Sequence, residues 1–355
     1  MSDLTIDSTK FSRDAVGKDS QQFLALLRSG NAPRDKPWWE IGIEEYRRRE
    51  ASGELRYQPH RLDHRVQTLS IPSRDAERYI PCRAFVPISS DKAPKVSEAP
   101  PPSRKRSAVF SRIITSLQKD VLLFIHGGGW SVFSNAINDT FLAHIADKNH
   151  LAVVSVAYRR APEFPYPQGP NDCYDAAEWL VDHAEPHFGA PLTSLMGSSS
   201  GAHFAALTAF HLRKSRPAFH LRSLMLNYGI FDLTYSNPSL VNAPQDALIT
   251  TTAALKFTTE AFVPHTTRLE RQSPDISPFY ADLQSLAPLP PALIICGTED
   301  ILIDDSVFFA AKYLMAGADA VLKVFPGAVH GFMDFEAMAQ QEDGWREITA
   351  FIASH

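Results

Sequence analysis

From about Val121 onward, the sequence predicts a doubly wound α/β fold built on a parallel sheet. Short apolar runs bounded by Gly and Pro alternate with longer helix-like segments, as in successive βαβ units. The runs Val121–Ile125 and residues 291–297 show no polar alternation, which is typical of strands buried on both faces. Hydrophobic residues make up 44% of the 355 residues, which is enough for a large core in one domain or two.

The part of the chain before this α/β region predicts a different organisation. Residues 20–52 are expected to be helical, and residues 65–71 and 79–86 to pair as an antiparallel hairpin. Residues 88–119 are polar and rich in proline, and they are longer than an ordinary connection. We expect an exposed insertion there, in which residues 109–117 could form a short amphipathic helix.

Composition and charge exclude several classes of protein. The net charge of −5 does not favour binding to nucleic acid or to an anionic membrane. Three cysteines provide neither a disulfide framework nor a metal-binding cluster. No apolar run approaches the ~18 residues of a membrane span, and the polar start of the chain lacks a secretory signal, so we expect a cytoplasmic protein.

A single Gly-x-Ser-x-Gly motif lies at residues 197–201, with Ser199 at its centre. A strand-like run over residues 192–196 precedes it, and an Ala- and Leu-rich helical segment over residues 202–212 follows. A sharp turn from strand to helix is the setting in which a serine is presented as a nucleophile, and glycines permit the strained turn. The alternative is a serine-rich helix N-cap.

A second motif follows the apolar run Val121–Ile125, which ends in His126 and the glycines Gly127, Gly128 and Gly129. Glycines at this point allow backbone N–H groups to face a reacting atom without obstruction by side chains, which an oxyanion hole requires. The alternative is a plain glycine-rich turn. Because the His-Gly-Gly-Gly motif occurs together with the serine motif, and precedes it in the chain, the oxyanion hole is favoured.

An acid and a histidine are expected to follow the serine in chain order. Asp300 lies in the loop that follows the apolar run at residues 291–297, and we expect it to orient an imidazole. Asp304 is the competing candidate, although Asp304 and Asp305 also suit the cap and first turn of the next helix. His330 follows the next predicted strand, in a loop marked by Pro and Gly.

These motifs resemble those of the hormone-sensitive-lipase-like, HGGG-type carboxylesterase branch of the α/β hydrolases. The segments that carry the resemblance are His-Gly-Gly-Gly-Trp at 126–130, Tyr-Arg-Arg-Ala-Pro-Glu at 158–163, Phe-Pro-Tyr-Pro at 164–167, Gly-Thr-Glu-Asp-Ile-Leu-Ile-Asp at 297–304 and His-Gly-Phe at 330–332. The resemblance covers roughly residues 65–354. It implies an α/β-hydrolase fold, with a mostly parallel sheet of about eight strands and a helical cap.

The resemblance also implies roles for particular residues. The catalytic triad that it implies consists of Ser199, Asp300 and His330. The backbone N–H donors of the oxyanion hole that it implies are those of Gly127, Gly128 and Ser200. Residues 1–60 are then an N-terminal helical cap segment and residues 61–355 the catalytic domain, with a second cap segment at residues 233–272.

The serine motif departs from the family's usual Gly-Asp-Ser-Ala-Gly-Gly. Ser198 replaces the Asp, Ser200 the Ala and Ala202 the last Gly. None of these changes removes a catalytic group, because Ser200 would contribute through its backbone. The charge lost at Ser198 bears on local hydrogen bonding.

An apolar, aromatic pocket is expected beside the catalytic loops. The candidates lie near those loops or in the second cap segment, and they are Trp130, Phe133, Tyr228, Phe231, Phe257, Phe262 and Phe332. Any one of them is more often a core residue than a pocket wall, but as a group they favour hydrophobic substrates.

The sequence therefore predicts a serine carboxylesterase that acts on small to medium hydrophobic esters and needs no cofactor or metal. The same groups would serve a thioesterase, lactonase, amidase or cyclase of secondary metabolism, and a non-catalytic ligand-binding relative is a further alternative. The expected partner is a small-molecule ester. The oligomeric state stays open, with a homodimer among the alternatives.

Overall fold

A computed structural model describes residues 6–29, 35–55, 61–87, 119–244 and 247–355. The predicted insertion at residues 88–119, including the short helix expected within it, lies outside the described residues except for Lys119.

Within these ranges eight strands form one sheet. They are β1 (Gln67–Pro72), β2 (Tyr79–Phe85), β3 (Val121–Ile125), β4 (Ala152–Val156), β5 (Leu192–Ser198), β6 (Ser223–Asn227), β7 (Ala292–Glu299) and β8 (Ala320–Val329). Their order across the sheet is β1-β2-β4-β3-β5-β6-β7-β8. Strand β2 is antiparallel to both of its neighbours, and β3 to β8 run parallel, which confirms the predicted doubly wound sheet.

Three helices precede the first strand among the described residues, and the later helices lie between or after the strands of the parallel part. They are α1 (Lys18–Arg28), α2 (Trp38–Ile41), α3 (Ile43–Ala51), α4 (Asp139–Asn149), α5 (Gln168–Phe188), α6 (Ser200–Ser215), α7 (Pro238–Val241), α8 (Thr252–Phe262), α9 (Ile303–Met315) and α10 (Gln340–Ser354). Short 3-10 turns lie at Ser8–Phe11, Arg13–Ala15, Glu270–Gln272, Pro278–Tyr280 and Phe332–Asp334.

The hydrophobic core occupies both faces of the sheet, because side chains alternate along each strand. In β3, Val121, Leu123 and Ile125 belong to the core beneath α5 and α6, whereas Leu122 and Phe124 belong to the core beneath α4 and α10. All five residues are buried, as expected for a parallel strand covered by helices on both sides.

The first helix corrects the expected cap. Residues Leu24 and Leu27 of α1 join the core on the α4 and α10 face, and Nε2 of Gln340 donates to Ser20 Oγ at 2.6 Å. Because the apolar side of α1 is already buried against β8 and α10, the helix serves as part of the main domain. For the described residues 35–55, the cap predicted at residues 1–60 stays a prediction.

The carboxyl ends of β3, β5, β6, β7 and β8 lie at one edge of the sheet, because these strands are parallel neighbours. Their connecting loops therefore meet there. In open α/β sheets this edge is where ligands bind.

Candidate active site

Ser199 occupies a strained turn between β5 and α6. Its backbone has φ +56° and ψ −122°, a combination that side-chain-bearing residues rarely adopt. A Cβ on Gly197 would lie 2.2 Å from the carbonyl oxygen of Gly201, and one on Gly201 would lie 2.0 Å from that of Ile125. Only glycine fits at either position, so the turn that presents Ser199 depends on both.

Three polar side chains from the ends of β5, β7 and β8 form a continuous hydrogen-bonded series. Ser199 Oγ lies 2.8 Å from Nε2 of His330, and Nδ1 of His330 lies 2.8 Å from Oδ2 of Asp300. The carboxylate accepts from Nδ1–H, so Nε2 is the nitrogen left to accept from the serine. His330 and Asp300 are only 8% and 2% exposed, which shields the series from water.

The carboxylate of Asp300 is itself held in place. Its Oδ1 accepts from the backbone N–H of Leu302 at 2.9 Å, and the buried thiol of Cys296 donates to Oδ2 at 3.6 Å. Burial raises the pKa of the Cys296 thiol well above its usual range, so the sulfur keeps the proton that it donates. Beyond a cysteine expected to be buried, nothing in the sequence indicated this contact.

The two other acids of this loop bind elsewhere. Oδ2 of Asp304 accepts from the backbone N–H of Ser239 at 2.7 Å. Asp305 is buried and accepts from the N–H groups of Phe231 and Asp232, at 2.6 and 2.9 Å. Burial raises its pKa to about 7 against the opposing effect of these hydrogen bonds. Both acids fix the segment after β6, and Asp300 is the acid beside the imidazole.

The glycine turn, residues 127–129, is anchored through its carbonyl groups. The Tyr158 hydroxyl donates to the His126 carbonyl at 3.0 Å, and Nδ1 of His126 donates to that of Gly127 at 2.7 Å. The N–H of Ser131 donates to the Gly128 carbonyl at 3.0 Å. In a trans peptide the N–H points away from the C=O. The glycine N–H groups therefore point away from these anchors.

The remaining predicted donor is the backbone N–H of Ser200, the first residue of α6. The first N–H groups of a helix have no acceptor within the helix, and the helix dipole adds partial positive charge there. Ser200 is 1% exposed and directly follows Ser199. Its N–H therefore belongs to the same edge of the sheet as the glycine turn.

A cavity of about 250 Å³ opens beside Ser199. Ser199, His330 and the glycine turn line it. Its remaining walls come from α2, α3 and α8 and from the loops after the strands. They are formed by Asp35, Pro37, Trp38, Trp39, Tyr46, Val132, Phe133, Ile137, Asn138, Ser198, Tyr228, Ile249, Thr250, Ala254, Leu255, Thr258, Gly331 and Asp334.

Of the seven predicted pocket residues, Phe133 and Tyr228 line this cavity and five do not. Trp130 is 1% exposed and stacks on Phe262, with ring centroids 4.9 Å apart. Phe231 stacks on Phe309 in the core at 4.2 Å. The expectation is corrected for these residues, because each ring points from its loop back into packed protein.

The expectation that Phe332 and Phe257 line the pocket is also corrected, for opposite reasons. Phe332 is fully buried between Tyr228 and Phe325. Phe257 is 48% exposed and lies outside the cavity, where it stacks on Trp39 with centroids 4.6 Å apart.

The predicted pocket residues did not include Trp38, Trp39 and Tyr46, although their segment was expected to form a cap over the pocket. Asp35, Asp334 and Asn138 were also missed. The available signal was the apolar pair of tryptophans in an otherwise polar segment. Nothing in the sequence indicates which face of α2 or α3 meets the cavity.

Helix α3 is fastened to the loop after the glycine turn. Nε and Nη2 of Arg47 donate to the carbonyl of Ser131 at 3.0 and 2.6 Å, and its guanidinium also pairs with Glu163. Oε2 of Glu50 accepts from the N–H of Phe133 at 3.0 Å. These contacts tie one wall of the cavity to the loop that carries Phe133.

His203, just after the serine motif, has a structural role. Its Nδ1 accepts from the Trp130 indole at 3.1 Å, and its Nε2 lies 2.7 Å from the carbonyl of Ile276. Complete burial lowers its pKa to about 4, so the ring is neutral. It ties the loop after β3 to the segment before β7.

In the part of the chain that the structure describes, no group of three or more His, Cys, Asp or Glu residues is arranged to hold a metal ion. No helix there is long and apolar enough to cross a membrane.

Comparisons with known proteins agree with this fold. The family described as the alpha/beta hydrolase fold matches residues 122–334. An ethyl acetate hydrolase of Pseudomonas putida is 27% identical over 334 residues, which cover 93% of this chain and 95% of that protein. The carboxylesterase NlhH of Mycobacterium tuberculosis is 30% identical over 225 residues, 61% of this chain and 67% of that protein.

Solved structures show the same fold. A hyperthermophilic esterase from the archaeon Pyrobaculum calidifontis matches with a TM-score of 0.74 at 25% identity, covering 96% of this chain and 98% of that one. A bacterial heroin esterase matches with a TM-score of 0.76 at 22% identity, covering 96% and 97% of the two chains. The family match spans more than half of the 355 residues, so this chain belongs to the α/β-hydrolase fold family, in its carboxylesterase branch.

Proposed function

We propose that this chain is a carboxylic ester hydrolase in which Ser199 is the nucleophile, His330 the general base and Asp300 the acid that orients it. The observation that carries the proposal is the series of two 2.8 Å hydrogen bonds that joins these side chains at the cavity. A nucleophile within reach of an oriented base is what covalent catalysis requires. Similarity to esterases supports ester substrates.

The reaction proceeds in two halves. Ser199 Oγ attacks the ester carbonyl carbon while Nε2 of His330 takes the hydroxyl proton, and Asp300 stabilises the resulting imidazolium. The imidazolium then protonates the leaving alcohol as the C–O bond breaks, which leaves an acyl-enzyme. Water, activated by the same imidazole, attacks the acyl group and regenerates Ser199.

We propose that the oxyanion formed in each half is bound by the backbone N–H groups of Gly127, Gly128 and Ser200. Support comes from the anchoring of the glycine turn through its carbonyls, which turns its N–H groups the other way. Fixed donors need no reorganisation when charge develops, and loss of one such donor costs about 2.7–4 kcal/mol of barrier.

The cavity supports small to medium hydrophobic esters as substrates, because its volume is about 250 Å³ and most of its side chains are apolar or aromatic. We further propose that α2, α3 and the segment around α8 form the cap that selects among them. The stacking of Trp39 on Phe257 joins the two parts of this cap.

The test compares hydrolysis of p-nitrophenyl acetate and butyrate by the wild type and by Ser199→Ala. Loss of the nucleophile is expected to lower kcat roughly a million-fold with the fold retained. Ser215→Ala, an exposed serine at the far end of the same helix, is the matched control and is expected to keep full activity.

A fluorophosphonate probe supplies an independent measurement. It is expected to label the wild type and Ser215→Ala, and to leave Ser199→Ala unlabelled. Retained ester hydrolysis in folded Ser199→Ala would contradict the proposed function. A wild type that neither turns over an ester nor takes the label would instead favour a ligand-binding relative.

A further inference from the structure

The cavity carries negative charge that the hydrolysis of a neutral ester does not require. Two acidic residues, Asp35 and Asp334, line it together with His330. Among the described residues that line the cavity there is neither a lysine nor an arginine. A substrate entering this space therefore meets the carboxylate of Asp334 and no lysine or arginine among the described lining residues.

Asp334 is the better defined of the two acids. It lies four residues after His330, and its exposed side chain accepts from Nδ2 of the buried Asn138 at 2.7 Å through Oδ1. No lysine or arginine within the described ranges forms an ion pair with it. The positive charge that lowers its pKa is that of His330, when that imidazole is protonated.

The carboxyl group of Asp334 is charged near neutral pH. Although the side chain reaches the cavity, the surrounding protein desolvates it and raises its pKa to about 6, against the lowering effects of His330 and of the Asn138 hydrogen bond. An ionised carboxylate in a partly desolvated wall without a cationic side chain is stabilised by a ligand that supplies the positive charge.

The other walls are suited to the same kind of ligand. The rings of Trp38, Trp39, Tyr46, Phe133 and Tyr228 all line the cavity. Aromatic faces attract cations, most strongly for tryptophan and for ammonium groups that have lost part of their water. A space walled by aromatic rings and one carboxylate can bind an ammonium group with little competition from neutral molecules.

We infer that the preferred substrate is an ester whose alcohol part carries an ammonium group, which lies between Asp334 and the aromatic rings. This inference rests on the proposed esterase function. The alcohol is the part concerned because His330 protonates the leaving alcohol, so that half of the ester lies on the side of His330. Asp334 belongs to the same loop.

The experiment compares two esters of nearly equal shape. One is 2-(trimethylammonio)ethyl acetate, and the other is its uncharged carbon analogue, 3,3-dimethylbutyl acetate. We expect the wild type to favour the cationic ester at least about tenfold in kcat/KM, mainly through KM, at pH 7.5 and moderate ionic strength. Betaine ethyl ester carries its positive charge on the acyl side. We therefore expect that charge to bring no increase in kcat/KM.

Asp334→Asn provides the decisive variant, because asparagine keeps the size of the side chain and removes the charge. We expect kcat/KM to fall about tenfold for the cationic ester and less than about twofold for the neutral one. Asp14→Asn removes the same charge from an exposed site outside the cavity. It controls for long-range attraction of cations and is expected to change neither value.

The other outcomes overturn the inference. Equal losses on both esters, with a shifted pH profile for the neutral ester, would mean that Asp334 acts through His330 and not on the substrate. Equal use of both esters by the wild type would remove the cation preference while leaving the esterase function intact. Absence of turnover with every ester and with p-nitrophenyl acetate would be a failure of the proposed function itself.

Discussion

Two regions meet at the cavity and are built in opposite ways. The catalytic edge consists of the loops after β3, β5, β7 and β8, whose positions follow from pairing between neighbouring parallel strands. The wall around it comes from α2, α3 and α8, which are held by side chains such as Arg47 and Trp39. Backbone geometry thus fixes the first region, and side-chain contacts between distant segments fix the second.

Because the two regions are held in different ways, we expect substitutions in them to affect different properties of the protein. A change at the catalytic edge leaves the strands paired, so it is expected to remove chemistry and to spare the fold. A change in the wall leaves the series from Ser199 to Asp300 in place, so it is expected to alter substrate choice. The predictions below test this separation, beginning with the largest expected effect.

At the catalytic edge, Asp300→Asn is expected to lower kcat about ten-thousand-fold, because the imidazole would lose its orienting carboxylate. Asp304→Asn is the matched control four residues away. Its carboxylate binds the Ser239 N–H, so kcat is expected to stay within about tenfold of the wild type. Steady-state hydrolysis of p-nitrophenyl butyrate measures both. Comparable losses in the two variants would mean that the acid is assigned to the wrong residue.

In the wall, Trp39→Ala is expected to change chain-length preference and to leave the chemistry intact. The substitution removes a cavity side chain and its stacking partnership with Phe257, which opens space for longer chains. The ratio of kcat/KM for p-nitrophenyl octanoate over acetate is expected to rise roughly threefold to tenfold. Phe308→Ala, at an exposed aromatic residue of α9 outside the cavity, should keep the ratio of the wild type.

The attachment of α3 gives a smaller effect. Arg47→Ala leaves the carbonyls of Ser131 and Ala161 without their donor, and it is expected to lower the free energy of unfolding by about 1–3 kcal/mol. KM is expected to rise several-fold as the wall loosens, with kcat nearly unchanged. The neighbouring Arg48→Ala removes an exposed residue and should change neither property. Urea unfolding and steady-state kinetics are measured for both variants. A large loss of kcat in Arg47→Ala would contradict the separation between chemistry at the catalytic edge and substrate choice in the wall.

The smallest effect on catalysis is expected at His203. The burial of this histidine makes the stability of the folded chain depend on pH. Burial lowers its pKa to about 4, below the value near 6.5 of an exposed histidine, so the unfolded chain binds a proton that the folded chain excludes. Its stabilising contribution is complete above about pH 6.5 and is lost as the pH falls towards 4, by about 1.4 kcal/mol per pH unit.

Urea unfolding between pH 4.5 and 7.5 tests this prediction. His203→Gln is expected to be less stable at pH 7.5 and to show a flatter dependence on pH. The exposed His183→Gln should keep the slope of the wild type. An unchanged slope in His203→Gln would show that other groups cause the loss of stability in acid.

Much of the catalytic edge could be predicted from sequence because its signals are local. An apolar run followed by glycine or by a polar residue identifies a buried strand and the loop at its end. The positions of Ser199, Asp300 and His330 along the chain therefore indicated that they would meet, and the structure brings them within hydrogen-bonding distance. The fold and the family are confirmed on the same basis.

The residues of the cavity wall were predicted poorly. Whether a residue lines the cavity depends on the direction of its side chain and not on its position in the sequence. Phe332 lies two residues after His330, and Phe262 lies in the predicted second cap segment, yet both rings pack into the core. Trp38 and Trp39 precede Ser199 by some 160 residues and still line the cavity. Helix α1 belongs to the same predicted cap segment, but its leucines pack against the main core.

The sequence by itself determined the order of strands and helices, the strained serine turn and the residue types available for chemistry, because each depends on short-range patterns of burial and backbone freedom. The tertiary structure decided between the two candidate acids for His330. It alone decided which aromatic residues line the cavity, and that Asp334 stands in its wall without a cationic partner among the described residues. Those outcomes depend on how segments far apart in the chain pack, and small differences in packing direction separate a core residue from a pocket wall.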